Sequence, residues 1–279
     1  MKFQLRCQDI SEKVTRRLGL VWHPWIARST RRRISYSQLG EDIWIFRNYF
    51  NQSVSDAVLV EIGAHSGLHY SNSLLLEHIT RGKTILVEPA ELGFSQCLVN
   101  RPHARVYGCA ISSRFEVLEL LGDSAVAGIA TNLSAEYIRQ WNLAEATRSE
   151  VVALPLWALA RIEHLEYIDV LSIDVQGSEL AVLQGVDWNL PIGCLVVELE
   201  GHDEERDLNA RSLLKEQGFD FRVRLGVSEI WTNRQYFRRN ELFDPQLLEP
   251  VERFLTPYLE PAWRERILGT LMHSPEQDG

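Results

Sequence analysis

The sequence predicts an α/β domain with a mostly parallel sheet, helices on both faces and a terminal antiparallel hairpin. Three observations carry that expectation. Short apolar runs recur at 57–62, 84–88, 105–109, 168–173 and 194–199, with room for a helix in most of the gaps. Runs that stay apolar on successive residues suit strands buried on both faces, as in parallel sheets. Near the end, Phe219–Arg224 and Val227–Trp231 flank Gly226 and read as a hairpin joined to the sheet.

The elements follow in order. Residues 1–36 form a basic arm, with nine Lys or Arg against Asp9 and Glu12, around the apolar stretch Leu20–Ile26. Ser37-Gln38-Leu39-Gly40-Glu41-Asp42 opens a helix through Phe50, with Ile43, Phe46 and Tyr49 on one face. The first strand ends Val60-Glu61-Ile62-Gly63-Ala64-His65-Ser66-Gly67, and a helix bearing Leu68, Leu75 and Ile79 is expected at once. Strand two ends in Glu88-Pro89, and strand three runs to Cys109. Residues 111–153 break the rhythm. One strand (Phe115–Leu121), a loop around Gly122 and Gly128 and a helix capped by Ser134 are expected there, as a lid insertion over the sheet edge. Strand four leads into Asp174-Val175-Gln176-Gly177-Ser178-Glu179 and a helix to Gly185, and strand five into Glu198-Leu199-Glu200-Gly201-His202. The domain is placed at 37–240, and 241–279 is expected to form a helical appendage.

Composition narrows the classes. At 279 residues and 45% apolar content, the chain can bury one sizeable core. No run approaches the ~18 apolar residues of a membrane span. No apolar h-region follows the basic amino terminus, so a cytoplasmic location is expected. Cys7, Cys97, Cys109 and Cys194 show no C-x-x-C pairing, which suits buried, inert thiols in a reducing compartment. The net charge of −9 argues against dedicated nucleic-acid binding. The arm itself suits an anionic membrane surface or an anionic acceptor; the alternative is packing on the protein's own acidic body.

The chemistry centres on the ends of the strands. Glycines at 63 and 67 let a backbone approach a ligand closely. Their spacing is not the G-x-G-x-x-G of dinucleotide binders, and Glu61 beside the turn would oppose a diphosphate. A carboxylate there suits a positively charged ligand, as the amino and sulfonium groups of S-adenosylmethionine are. Glu88 falls about 20 residues on, where nucleoside-binding folds place the acid that takes a ribose diol. Asp174 ends another buried strand and faces the same crevice, or caps the following helix.

Several segments, taken in order over 36–232, resemble the FkbM-type S-adenosylmethionine-dependent methyltransferases. They are Ser37-Gln38-x-Gly40-Glu41-Asp42, V-E-I-G-A-H-S-G, L-V-E-P, Ala110-Ile111-Ser112 and D-V-Q-G-S-E-L-A-V-L-Q-G. The resemblance implies a Rossmann-like class I methyltransferase fold and O-methylation of a sugar or other small or glycan acceptor. It implies that Glu61, Gly63 and Gly67 line the methionine part of the cofactor, that Glu88 holds the ribose and that Asp174 stands between cofactor and acceptor. His65, Glu61 and Gln176 stand where the family commonly has Asn, Asp and Glu, and Ser113 where Asp is common. Candidate bases for an acceptor hydroxyl are Asp174, His65 and His202; His65 serves equally as a hydrogen-bond partner for the cofactor. No metal site is expected. The rival readings are an NAD-dependent oxidoreductase and a non-catalytic scaffold docking through the basic arm.

Overall fold

The structure, a computed structural model, describes residues 35–50, 56–199, 201 and 203–236. The basic arm up to residue 34, the expected C-terminal appendage, Cys7 and the candidate base His202 lie outside these residues.

One sheet organises the domain. Its strands are β1 (Val58–Ile62), β2 (Lys83–Val87), β3 (Arg105–Tyr107), β8 (Ile168–Ile173), β9 (Ile192–Glu198), β10 (Phe219–Leu225) and β11 (Ser228–Asn233). They lie in the order β10-β11-β9-β8-β1-β2-β3. β3, β2, β1, β8 and β9 run parallel, and β11 pairs antiparallel with both β9 and β10. The expected terminal hairpin is thus part of the sheet. Chain order reverses at β1, which lies between β2 and β8, so the carboxyl ends of these strands flank the crevice where open α/β sheets bind ligands.

Alternation along the central strands decides which helix covers which face. Val60, Ile62, Ile85, Leu171, Ile173, Leu195 and Val197 pack with Leu156 and Leu159 of α5 (Leu156–Ile162), Val182 and Leu183 of α6 (Glu179–Gln184), and Ala210 and Leu214 of α7 (Glu204–Glu216). The alternate residues Leu59, Val170, Cys194 and Val196 meet Ile45 of α1 (Glu41–Asn48) and Leu76 of α2 (Leu74–Thr80). Leu86 meets Cys97 of α3 (Glu91–Asn100). With helices on both faces, strands apolar on successive residues follow. The expected helix from 37 begins at Glu41, after Gly40. Asp42 draws the turn before it closed, accepting from the Ser37 hydroxyl (2.8 Å) and the Tyr36 amide (2.9 Å).

Two expectations need correction. No helix follows the glycines at once: 64–73 is a loop, α2 starts only at Leu74, Leu68 lies in the loop and Ile79 is exposed. The cause is polar. Glu61, buried at the end of β1, accepts from the Ser71 hydroxyl (2.8 Å), the Asn72 amide (2.9 Å) and the Ser73 hydroxyl, and so holds those residues in a turn rather than a helix. Arg101, fully buried on the other side, donates to Gly67 O (3.0 Å), Ser71 Oγ (3.2 Å), Ser73 Oγ (3.1 Å) and the Glu77 carboxylate. Arg101→Met is expected to lower stability by roughly 3–5 kcal/mol, because it leaves Glu77 as an uncompensated buried charge. Chemical denaturation measures this.

The second correction concerns 111–153. It holds more than one strand: β4 (Ala110–Ile111), β5 (Glu116–Leu121), β6 (Gly128–Ile129) and β7 (Arg148–Leu154) form a separate sheet in the order β4-β7-β5-β6. β7 starts with Arg148-Ser149-Glu150, all exposed, and only Val151 and Ala153 turn inward. So polar a strand gives little period-two signal. Ser134 caps α4 (Ala135–Gln140) as expected, its hydroxyl accepting from Tyr137 N at 3.0 Å. Cys109 lies just beyond β3 rather than within it, and like Cys97 and Cys194 it is a free, buried thiol.

Candidate functional site

Backbone hydrogen bonds lace the strand ends together. Asp174 N donates to Ile62 O (3.0 Å), Gly63 N to Val87 O (2.9 Å) and Glu88 N to Tyr107 O (3.0 Å). The carboxyl ends of β8, β1, β2 and β3 therefore form one rigid edge. Above it lies a cavity of about 350 Å³ whose lining includes Gly63, His65, Glu88 and Asp174. The opposite wall comes from the 111–153 segment, through Leu120, Ser124 to Ile129, Tyr137 and Trp141.

Gly63 follows β1 directly and lies against the Asp174 backbone just past β8, with φ at +84°. A Cβ on it would lie 1.7 Å from the Asp174 carbonyl oxygen, so only glycine fits. Glu88 is buried at the end of β2. Its Oε2 accepts from His65 N (2.7 Å) and its Oε1 from Ala90 N (2.9 Å), so each oxygen keeps a lone pair for another donor. Burial pushes this carboxyl up to about 7; the two amides oppose the rise and the charge of Asp174 adds to it. His65, at φ +48°, lines the cavity with a half-buried ring, and burial lowers its pKa, so the imidazole is neutral at pH 7.

Asp174 is held from its own loop. Gln176 Nε2 donates to Asp174 Oδ1 at 2.7 Å, and Gln176 Oε1 accepts from the Tyr137 hydroxyl on the opposite wall. The amide must lie this way round, since an ionised carboxylate only accepts. Behind it Glu179, fully buried and also raised to about 7 mainly by burial, accepts from Gly177 N (3.0 Å) and Val175 N (3.3 Å). A further tie joins the two walls: Asn132 Nδ2 donates to Ser178 Oγ (2.8 Å), and Arg206 Nη1 to Asn132 O (2.7 Å) and Gly177 O (3.2 Å).

Of the residues singled out in the sequence, the structure brings Gly63, His65, Glu88 and Asp174 together. Glu61 and Gly67 lie outside the cavity lining. Glu61 is boxed in by the serines of the 64–73 loop, and a Cβ on Gly67 would meet Arg101 (2.9 Å) and Cys97 (3.3 Å). Tyr137, Trp141, His69 and Tyr70 also line the cavity and were not foreseen, because each stands in a segment without a motif. Among the described residues, no group of three or more His, Cys, Asp or Glu is placed to hold a metal.

The strand order, with a five-stranded parallel core and an antiparallel β11 inserted before the edge strand β10, is that of the class I methyltransferase fold. A family model, the methyltransferase FkbM domain, matches residues 61–221, and the chain belongs to that family. Among solved structures it is similar to methyltransferase FkbM from Methylobacillus flagellatus KT. The identity is 13% and the TM-score 0.45, covering 71% of this chain and 48% of that one, so the chain spans about half of that relative's length. It is also similar to Aeropyrum pernix fibrillarin, solved with natively bound S-adenosyl-L-methionine, at 13% identity and a TM-score of 0.38, over 70% of this chain and 73% of that one. No curated protein matches the chain.

Proposed function

We propose that the chain is an S-adenosylmethionine-dependent methyltransferase acting on a hydroxyl of a sugar or other small or glycan acceptor. The observation that carries the reading is Glu88, a buried carboxylate with one lone pair left on each oxygen, on the wall of a cavity edged by Gly63. Two adjacent acceptors of this kind fit a ribose diol. Family membership supports methyl transfer; the hydroxyl acceptor rests on analogy within the family.

In this reading Glu88 accepts both ribose hydroxyls, and the Gly63 turn admits the cofactor close to the backbone. When bound, S-adenosylmethionine supplies a methyl group activated by its sulfonium. The protein's own task is to hold an acceptor oxygen in line with that methyl, which contributes on the order of 7–11 kcal/mol in favourable cases. Asp174, oriented by Gln176, accepts the hydroxyl proton, and His65, neutral at pH 7, is the second base within the cavity. The 111–153 segment acts as the lid, tied to the Asp174 loop through Tyr137 and Asn132.

Parallel calorimetric titrations with S-adenosylmethionine, S-adenosylhomocysteine and NAD test this. Binding of the two adenosyl compounds and not NAD is expected; binding of NAD alone would replace the reading with an oxidoreductase, and no binding at all with a scaffold. Asp174→Asn is expected to keep cofactor affinity within a few-fold and to lower turnover by roughly 10²–10⁴. Equal loss of both would give Asp174 a structural role only.

A further inference from the structure

The lid and the candidate base meet at one side chain. Gln176 spans the gap, with Nε2 on Asp174 Oδ1 at 2.7 Å and Oε1 on the Tyr137 hydroxyl. Reaching both partners takes an uncommon backbone. Gln176 holds φ at +54°, a left-handed conformation that is costly for a long side chain, and Gly177 follows at +92°. Glu179 secures this turn, its Oε1 accepting from the amides of Val175 and Gly177 on either side. Backbone strain of this kind persists where its surroundings over-determine it, and it gathers at functional sites.

The other end of the bridge is fixed from within the lid. Ser134 caps α4 by accepting from Tyr137 N at 3.0 Å, so the first turn of the helix sets where Tyr137 stands. Tyr137 is 2% exposed and packs with Leu121 and Leu143. The two walls are in close contact here. A Cβ on Gly177 would lie 3.0 Å from Asn132 O, and one on Gly128 would lie 3.2 Å from Gln176 O.

Chemistry gives the bridge a direction. An amide donates at nitrogen and accepts at oxygen, whereas a hydroxyl has one proton to give. With Asp174 ionised, the Gln176 nitrogen faces the carboxylate, and the oxygen turned toward the lid needs a donor. The Tyr137 hydroxyl is that donor; Val126 O, at 3.3 Å, is its more distant alternative. Without the hydroxyl, the half-buried amide is free to turn about its last bond, and Asp174 loses a donor of fixed direction.

We propose that Tyr137 is a positioning residue for Asp174, acting through the Gln176 amide, so that seating the lid and orienting the base are one event. The inference rests on the main cavity being the methyl-transfer site with Asp174 as its base. An acceptor hydroxyl then meets a correctly aimed carboxylate only beneath a seated lid.

The test reads Asp174 itself. Nuclear magnetic resonance of the full chain, labelled with carbon-13 at the aspartate carboxyls, gives a signal for Asp174 that Asp174→Asn removes and so assigns. Tyr137→Phe, which deletes only the hydroxyl, is expected to shift that signal. In a Gln176→Met background the same change is expected to leave it in place. A signal indifferent to Tyr137→Phe would mean that the tyrosine only packs the lid, and it overturns the proposal. So does a shift that persists without the Gln176 amide. If Tyr137→Phe does not fold, the reciprocal measurement decides. The hydroxyl-bearing ring carbon of Tyr137, assigned through its backbone, is expected to shift in Asp174→Asn, and a fixed signal overturns the proposal. Calorimetry with S-adenosylhomocysteine completes the test, because a positioning role leaves affinity in Tyr137→Phe within a few-fold of the wild type. A loss of about tenfold or more, the size of a whole hydrogen bond, would put Tyr137 on the cofactor and overturn the assignment. If S-adenosylhomocysteine does not bind the wild type at all, the methyltransferase reading fails first, whatever the carboxyl signal does, and the role of Tyr137 fails with it.

Discussion

Gly63→Ala is expected to cost about 4 kcal/mol or more, a large share of the roughly 5–15 kcal/mol that holds an ordinary domain folded. Two effects add. The residue holds φ at +84°, which costs an L-side chain roughly 1–2 kcal/mol. The new methyl would also lie 1.7 Å from the Asp174 carbonyl oxygen, so β1 and β8 must part where Asp174 N bonds Ile62 O. Gly40→Ala separates the two effects. Gly40 has φ at +92° with nothing within 4 Å of its added Cβ, so that variant carries the backbone cost alone. Chemical denaturation of both measures the difference. Similar losses in the two would mean that the strand ends yield easily, and that the edge is not the rigid frame described above.

The same glycine illustrates what was legible in the sequence. The turn was visible because its requirement is local: an apolar strand, then a residue that must lack a side chain. Glu88 and Asp174 were legible for a related reason, since a charge at the end of a buried strand demands an explanation within its own segment. Glu61 shows the limit of that argument. It met the same test, yet the donors that satisfy it, Ser71 and Ser73, follow ten and twelve residues later and look in sequence like a polar helix start. Arg101 was invisible altogether, because its partners Gly67, Ser71, Ser73 and Glu77 lie 24 to 34 residues before it and no periodicity links them.

The 111–153 segment was legible as a departure and not as a structure. β5 was found from its own pattern, but β7 is half polar, and β4 and β6 have two residues each. Such strands exist because a neighbour offers a ladder, which is tertiary information. Tyr137 was likewise unmarked, although through Gln176 it reaches Asp174 from 37 residues away in sequence. Gln176 itself stood out as a departure from the family's common Glu. The geometry gives that departure a physical sense: an amide can donate to Asp174 and accept from Tyr137 together, where a second carboxylate would repel the first.

Replacing Glu88 is expected to have the largest effect on cofactor binding. Two hydrogen bonds from a ribose diol to a charged acceptor, at roughly 1.5–3 kcal/mol each, predict a loss of about 10²–10⁴-fold in S-adenosylhomocysteine affinity for Glu88→Ala. Glu88→Gln sharpens the test, because it keeps the shape and removes the titration. The Glu88 carboxyl is raised from 4.5 to about 7 in the folded protein, chiefly by burial. Its contribution to stability is therefore fully present below pH 4.5 and is lost as pH rises through 7. Cofactor binding runs the opposite way. The diol donates, so it prefers the ionised acceptor, and affinity in the wild type is expected to rise up to about tenfold per pH unit below 7 and to level off above it. Between pH 5 and 8 the free wild type should thus lose melting temperature relative to Glu88→Gln while its stabilisation by S-adenosylhomocysteine grows. Calorimetry at four or five pH values reads the second trend directly. A flat profile in the wild type, or the same slope in Glu88→Gln, would move the ribose away from Glu88 and remove the observation on which the assignment of the cavity stands.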